Sequence, residues 1–273
     1  MKLGIINSAF DQAGVDTVTG LEHIARIGFD CVDLQLEAMT LSVIDKQAIV
    51  DTCERLHLPV ISLPVVSAGL IDPAAPVRAF HVDRTKRFID LAAELGARNI
   101  LLVLGEYIWQ REIIPPAEQW QWALEGCRVL GDYAAAKGID IALELEPFRL
   151  SLLNSTAEMA RFLRDCNHPR VKANIDISHL VLSDCGPETL VQLQGNAIHV
   201  HISDCNGVVH GDLPPGRGVI KFTPYLQAVK DLAIDGVVSI ELEFAPDPAR
   251  IVEWVEEAYR ETDRLMGMVG LRG

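Results

Sequence analysis

The chain has 273 residues, 49% of them hydrophobic and 23% charged, enough apolar side chain for a sizeable core and the wrong composition for disorder. Its 24 lysines and arginines stand against 38 aspartates and glutamates, a formal charge of −14 that repels phosphate backbones and argues against nucleic-acid binding. No apolar run approaches the roughly 18–20 residues of a membrane span. The six cysteines, Cys31, Cys53, Cys127, Cys166, Cys185 and Cys205, form no Cys-x-x-Cys pair, which excludes a zinc ribbon or thioredoxin-like motif and leaves reduced thiols in a cytoplasmic protein as the expectation.

In chain order, short apolar runs alternate with longer helical patterns. Met1–Asn7 lacks the apolar stretch and cleavage site of a signal peptide, and strands are predicted at Lys2–Asn7, Cys31–Leu36, Val60–Val65 and Asn99–Leu104. Four more follow at Asp140–Glu146, Lys172–Asp176, Ala197–Ser203 and Val237–Glu243. Helices are predicted near Thr17–Ile27, Asp45–Leu56, Val77–Leu95 and Ala117–Lys137, then Thr156–Cys166, Pro187–Gln194, Thr223–Ala233 and Pro248–Met266. Gly28, Gly96 and Gly138 each follow a helical pattern, where a left-handed residue ends a helix most easily. Ser155 or Thr156 can cap the fifth helix, with Glu158 close behind. The first strand–helix turn, Asn7–Gly14, lacks the G-x-G-x-x-G fingerprint of dinucleotide-binding sheets. The expected fold is therefore a (β/α)₈ barrel, one domain over residues 1–273.

In such barrels chemistry sits at the C-terminal strand ends. The first four ends offer only isolated polar residues, Asn7, Glu37, Ser67 and Glu106. The last four are rich. Glu144 and Glu146 share one face of the fifth strand by the two-residue period, Glu146 nearer the mouth. Asp176 ends the sixth, with His179 in the next turn; His199 and His201 share a face of the seventh, and Glu241 and Glu243 one of the eighth. A buried strand-end acid is costly unless paired or metal-bound, and four successive strands repeat the arrangement. Three carboxylates and one imidazole suit Mn²⁺ foremost, then Mg²⁺ or Co²⁺, with zinc less favoured without thiolates. The simpler alternatives are lumen salt bridges to Lys172 or an arginine, and a hydrogen-bonded core histidine at His201. His199 reads as structural, His179 as substrate contact or helix cap, and Glu144 and Glu243 replace their neighbours as ligands if the register slips by two.

Leu145-Glu146-Pro147, Asp176-x-x-His179, His199-x-His201-x-x-Asp204, Pro215-Gly216-Arg217-Gly218 and Ser239-Ile240-Glu241, in this order, resemble the xylose-isomerase-like barrels of the sugar phosphate isomerase/epimerase superfamily, in the style of its ketose 3-epimerases, hydroxypyruvate isomerases and inosose-processing enzymes. The resemblance implies one divalent ion on Glu146, Asp176, His201 and Glu241, with His179 touching substrate and Glu146 and Glu241 also moving the proton. It implies a sugar substrate and a homodimer or homotetramer. A substrate-binding arginine common after the strand-seven histidine is missing from Asp204–His210; Arg217 or His210 would take its place. Phe148-Arg149 likewise replaces an asparagine-containing continuation.

Epimerisation or aldose–ketose isomerisation next to a carbonyl requires loss of a weakly acidic C–H proton, assisted by a Lewis-acidic ion and a carboxylate base. Glu146 and Glu241, on well-separated strands, would flank the sugar, and Trp109 and Phe148 would cover its apolar face. A metal-dependent lyase or dehydratase acting on an inosose or 3-keto-glycoside begins with the same proton abstraction and is the alternative. A non-catalytic sugar-binding barrel is a third reading. The abasic-site DNA nucleases of related fold need further histidines that Leu63-Pro64-Val65-Val66 and Leu101–Gly105 do not supply. A phosphate on the substrate would find a glycine-rich cradle at Gly207, Gly211, Gly216 and Gly218 with Arg217 and Lys221, whereas Ala245–Pro248 is unsuited to one.

Overall fold

The structure, a computed structural model, describes residues 1–105 and 114–272; Glu106 and Trp109 lie outside the described residues. Eight parallel strands close on themselves in chain order: β1 (Lys2–Ile6), β2 (Cys31–Asp33), β3 (Val60–Val66), β4 (Asn99–Val103), β5 (Asp140–Leu143), β6 (Val171–Asp176), β7 (Ala197–Ile202) and β8 (Val237–Ile240). Closure is made by β1 on β8, with Lys2 opposite Val237 and Gly4 opposite Ser239. A side chain at Gly4 would place its Cβ 2.9 Å from Ser239 Oγ and 3.0 Å from Cys31 Sγ, so glycine is what lets the barrel floor close.

The two-residue period sorts each strand into an apolar outer face and a lumen face. Leu3 and Ile5, Leu63 and Val65, Ile141 and Leu143, Val200 and Ile202, and Val238 and Ile240 join one continuous core with the surrounding helices. Their alternates include Asp33, Ser62, Asn99, Asn174, Asp176, His199, His201 and Ser239, all buried. Within its apolar sleeve the lumen is thus polar on the β2 and β6–β8 side, while Ile6, Pro64, Leu101 and Val103 keep most of its remaining wall apolar. Its polar atoms need partners, and the Asn99 amide donating to Ser62 Oγ at 2.8 Å is one such pair near the floor.

The sleeve is made by α1 (Ser8–Gln12), α2 (Thr17–Ile27), α3 (Val43–Leu56), α4 (Ala75–Glu94), α5 (Pro116–Lys137), α6 (Thr156–Cys166), α7 (Ile177–Leu182), α8 (Phe222–Asp231) and α9 (Ile251–Val269). Ser155 caps α6, accepting from the Glu158 amide, as its sequence position predicts. Helices α2 and α5 end on left-handed Gly28 and Gly138. The helix expected at Pro187–Gln194 is a 3₁₀ segment, Pro187–Leu193. Short α1 and α7 are additions at strand ends; Asp176 caps α7 by accepting from the His179 amide at 2.8 Å. Among the described residues no helix is long and apolar enough to cross a membrane.

Candidate functional site

Strands β5 and β8 stop three residues short of the expected Glu146 and Glu243, because their paired ladders end at Leu143–Ala173 and Ile202–Ile240. Single backbone bonds continue past those points. The Glu144 amide donates to Leu102 O (3.1 Å) and the Glu241 amide to Ile202 O (3.2 Å), so both side chains keep the lumen parity of their strands. With His201 they line a cavity of about 500 Å³ at the barrel mouth, together with Glu146, His179, His210 and Glu243, and Asp176 lies against Glu144 and His201. That volume is in the range of small-molecule sites.

At its base Asp33 determines what His201 can offer. The Asp33 Oδ2 atom lies 2.7 Å from His199 Nε2 and 3.3 Å from His201 Nε2. Burial would raise the Asp33 pKa, but the two histidines outweigh it and hold this carboxyl well below the usual range, so it is an anion that can only accept. His201 therefore donates through Nε2 and turns Nδ1 toward Glu241 and Glu144, where a bound cation would take the place of the proton those carboxylates otherwise stabilise. That Nδ1 atom makes no hydrogen bond and lies 3.1 Å from Glu241 Oε2 and 3.6 Å from Glu144 Oε2. Asp176 uses Oδ1 on Ser178 and the His179 amide (2.9 and 2.8 Å) and leaves buried Oδ2 without a partner. Donor atoms of Glu144, Asp176 and His201 all lie within 4.8 Å of one another. Two orphaned, fully buried donors facing a carboxylate-rich space fit a divalent cation of hard-to-borderline type.

The electrostatics agree. Burial alone would make the imidazoles less basic, yet neighbouring carboxylates push His179 up to about 10 and hold His201 well above its usual value: the site favours positive charge. Glu144 is raised to about 7 by burial, offset in part by His201 and His179, and both its oxygens accept from Asn174 Nδ2 at 2.9 Å.

The His179 ring donates Nδ1–H to Leu145 O at 2.6 Å and meets His210 through Nε2 at 2.5 Å. His210 in turn faces Asp212 Oδ2 through Nδ1 at 3.4 Å, and Asp212 accepts from Ser203 Oγ at 2.9 Å. Burial, then Glu241 and Asp176, raise the Asp212 carboxyl well above its ordinary value. Phe148 lies near this pair, its ring centroid 6.1 Å from that of His210.

Of the residues singled out in the sequence, Glu144, Glu146, His179, His201, His210, Glu241 and Glu243 line one cavity, and it is Glu144 that clusters with Asp176 and His201. Lys172 instead reaches the Gly195 carbonyl at 3.5 Å. Arg217 is placed elsewhere, which corrects the expectation that it substitutes for the missing arginine. The Pro-Gly-Arg-Gly turn wraps Asp204, whose Oδ2 accepts from the Gly216 and Gly218 amides at 2.9 and 2.8 Å. A Cβ at Gly218 would stand 2.1 Å from Cys205 O and 2.2 Å from Asp204 Oδ1, so the wrap is tight and throws Arg217 outward. There it pairs with Glu257 (2.6 and 2.7 Å) and stacks over Trp254 at 4.4 Å. The same wrap fills the glycine-rich cradle with the protein's own carboxylate.

Sequence reasoning missed Asp33, Asn174, Asp212 and Arg84. Asp33 and Asn174 carried a usable signal, the lumen parity of their strands; Asp212 sits in a loop and Arg84 on a helix, where parity says nothing.

The family model described as a xylose isomerase-like TIM barrel matches residues 21–261. A D-psicose 3-epimerase of Ruminiclostridium cellulolyticum is 28% identical over 257 residues, covering 88% of this chain and 83% of that protein. A crystal structure of D-psicose 3-epimerase in the presence of D-fructose superposes with a TM-score of 0.85 at 21% identity, covering 98% of this chain and all of that one, 100%. The IOLI protein with a binding zinc atom superposes with a TM-score of 0.85 at 19% identity, covering 98% and 99%. At such identities these two likenesses are of fold alone. Closed barrel and family match together establish that the chain belongs to the xylose isomerase-like TIM-barrel family.

Proposed function

We propose that this protein is a divalent-metal-dependent epimerase or isomerase of a keto-sugar. The carrying observation is the buried cluster of Glu144, Asp176 and His201, whose ligand atoms lie within 4.8 Å of one another with Asp176 Oδ2 and His201 Nδ1 making no hydrogen bond, beside a carboxylate-lined cavity of sugar-binding size. A relative named as a D-psicose 3-epimerase supports the same reading. Asp176, His201 and Glu241 would hold the ion together with a glutamate after β5. We assign that place to Glu146, the nearer to the mouth, with Glu144 fixed beside it by Asn174. Mn²⁺ is the ion proposed, and when bound it would polarise the substrate carbonyl and balance the charge left by proton removal.

The chain's own residues supply the rest. Glu146 and Glu241 leave strands separated by β6 and β7, so they approach a bound sugar from different sides. One carboxylate takes the C–H proton and the other returns a proton to the opposite face. His179, its Nδ1 fixed on the Leu145 carbonyl, holds Nε2 against His210 Nε2, so a substrate hydroxyl would reach it by taking the place of the His210 ring.

The test is turnover of free ketoses by Mn²⁺-loaded protein in D₂O, with metal binding followed separately by calorimetry. The expected product is an epimer of unchanged formula carrying one solvent deuterium, formed neither after chelation nor by Glu146→Gln or Glu241→Gln. Water loss from the substrate would shift the assignment to a dehydratase. Protein that binds no Mn²⁺ and turns over no ketose would refute the proposal.

A further inference from the structure

We infer that the Arg84–Glu37 ion pair is a specificity-determining subsite on the far rim of the mouth, taking the hydroxylated tail of an uncharged ketose and turning away a terminal phosphate. The inference rests on the sugar-epimerase reading and adds the substrate's charge to it.

Arg84 belongs to α4, yet it lines the mouth together with Glu37, which follows β2. Its side chain is 17% exposed, and each of its three guanidinium nitrogens makes one hydrogen bond. Nε and Nη2 donate to Glu37 Oε2 at 3.1 and 2.6 Å. Nη1 donates to Val66 O at the end of β3 at 2.9 Å, and the guanidinium lies over the Phe88 ring, 4.9 Å from its centroid. In a closed barrel of eight strands in chain order, the β2–β3 rim stands opposite β6 and β7, the strands of Asp176 and His201. A ketose whose carbonyl end is held on the β5–β8 side extends its other end toward this pair.

What the pair offers is chemically specific. A guanidinium has five N–H donors, of which three are engaged here, and Glu37 Oε1 takes the Met39 amide at 3.1 Å with lone-pair capacity remaining. Donors and acceptors side by side suit hydroxyls, which do both. They suit a phosphate poorly. Among the described residues Arg84 is the only lysine or arginine lining the cavity, and Glu37 neutralises it. Burial would raise the Glu37 carboxyl, but the Arg84 bonds outweigh that and hold it lowered and ionised. Asp11, Glu144, Glu146, Glu241 and Glu243 line the same space, so a terminal phosphate carrying about −1.5 to −2 charges would enter a field of its own sign. The other place for it, the cradle after β7, is filled by Asp204.

The experiment compares D-fructose with D-fructose 6-phosphate on Mn²⁺-loaded wild type, Glu37→Gln and Arg84→Ala, reading kcat and KM for each and ligand binding by calorimetry. Wild type is expected to favour the free sugar by roughly a hundredfold or more in kcat/KM. Glu37→Gln should release the Arg84 charge and narrow that ratio at least tenfold, with Mn²⁺ affinity unchanged. Arg84→Ala should raise KM for the free sugar more than it lowers kcat; if that variant fails to fold, Glu37→Gln decides alone. Equal use of both sugars by wild type, or a ratio unmoved in Glu37→Gln, overturns the inference while leaving the epimerase reading intact. Failure of wild type to bind Mn²⁺ or to turn over either sugar overturns both.

Discussion

The imidazole of His201 can give a metal only the nitrogen that Asp33 leaves it. Because one carboxylate oxygen accepts from both His199 and His201, the tautomer of the proposed ligand is chosen by a residue on the other side of the lumen. Asp33→Asn replaces an obligate acceptor by a group that can also donate, and removes the anion. The expected outcome is a loss of roughly 10–100-fold in Mn²⁺ affinity, read by calorimetry, with the fold retained by circular dichroism; unchanged affinity would mean that Asp33 serves only the lumen's packing. His201, Asp176, Glu146 and Glu241 were legible in the sequence because strand ends rich in ionisable groups are rare and here fall on four consecutive strands. Asp33 carries the lumen parity of its strand, but its role emerges only when the barrel closes and puts it against β7.

Helices and strands of this chain were legible in kind more than in extent. The two-residue alternation identifies β5 and β8, but hydrogen-bonded pairing stops them at Leu143 and Ile240, and that depends on where the neighbouring strands end. The sleeve has its own polar links, and one gives a pH prediction. Between α4 and α5, Asp90 takes the Tyr133 hydroxyl at 2.8 Å and the Lys137 ammonium at 2.9 Å. Burial would raise this carboxyl; the bonds from Lys137 and Tyr133 outweigh it and hold the pKa below its ordinary value. A lowered folded-state value means that the contribution is complete above the unfolded value and disappears as pH falls through the folded one. Wild type should therefore melt slightly higher than Asp90→Asn at neutral pH, by a few tenths of a kcal/mol for so exposed a pair, and the gap should close in acid below that range. A gap that persists in acid would show that the amide of the variant packs worse for some reason other than charge.

At the scale of the whole molecule, the proposed ligands come from β5, β6, β7 and β8 or the residues just after them, so an ion among them ties half the barrel together and binds only the folded chain. Saturating Mn²⁺ at a hundred times its dissociation constant would stabilise the fold by about 2.7 kcal/mol, a rise of roughly 5–10 °C in Tm for a chain of this size. Chelation should reverse the rise, and Asp176→Ala should abolish it; a melting temperature indifferent to Mn²⁺ in wild type would remove the site. The sequence by itself determined the barrel and the identity of most mouth residues, because strand periodicity, helix punctuation and clustered strand-end acids are local signals, readable without knowing what stands opposite. Only the tertiary structure decided which oxygens and nitrogens remain unpartnered, that Arg217 turns outward around Asp204, and that Arg84 reaches the mouth from a helix. Those outcomes depend on closure, which brings residues far apart in the chain within hydrogen-bond distance, as it does Asp33 and His199, and no local pattern encodes such a meeting.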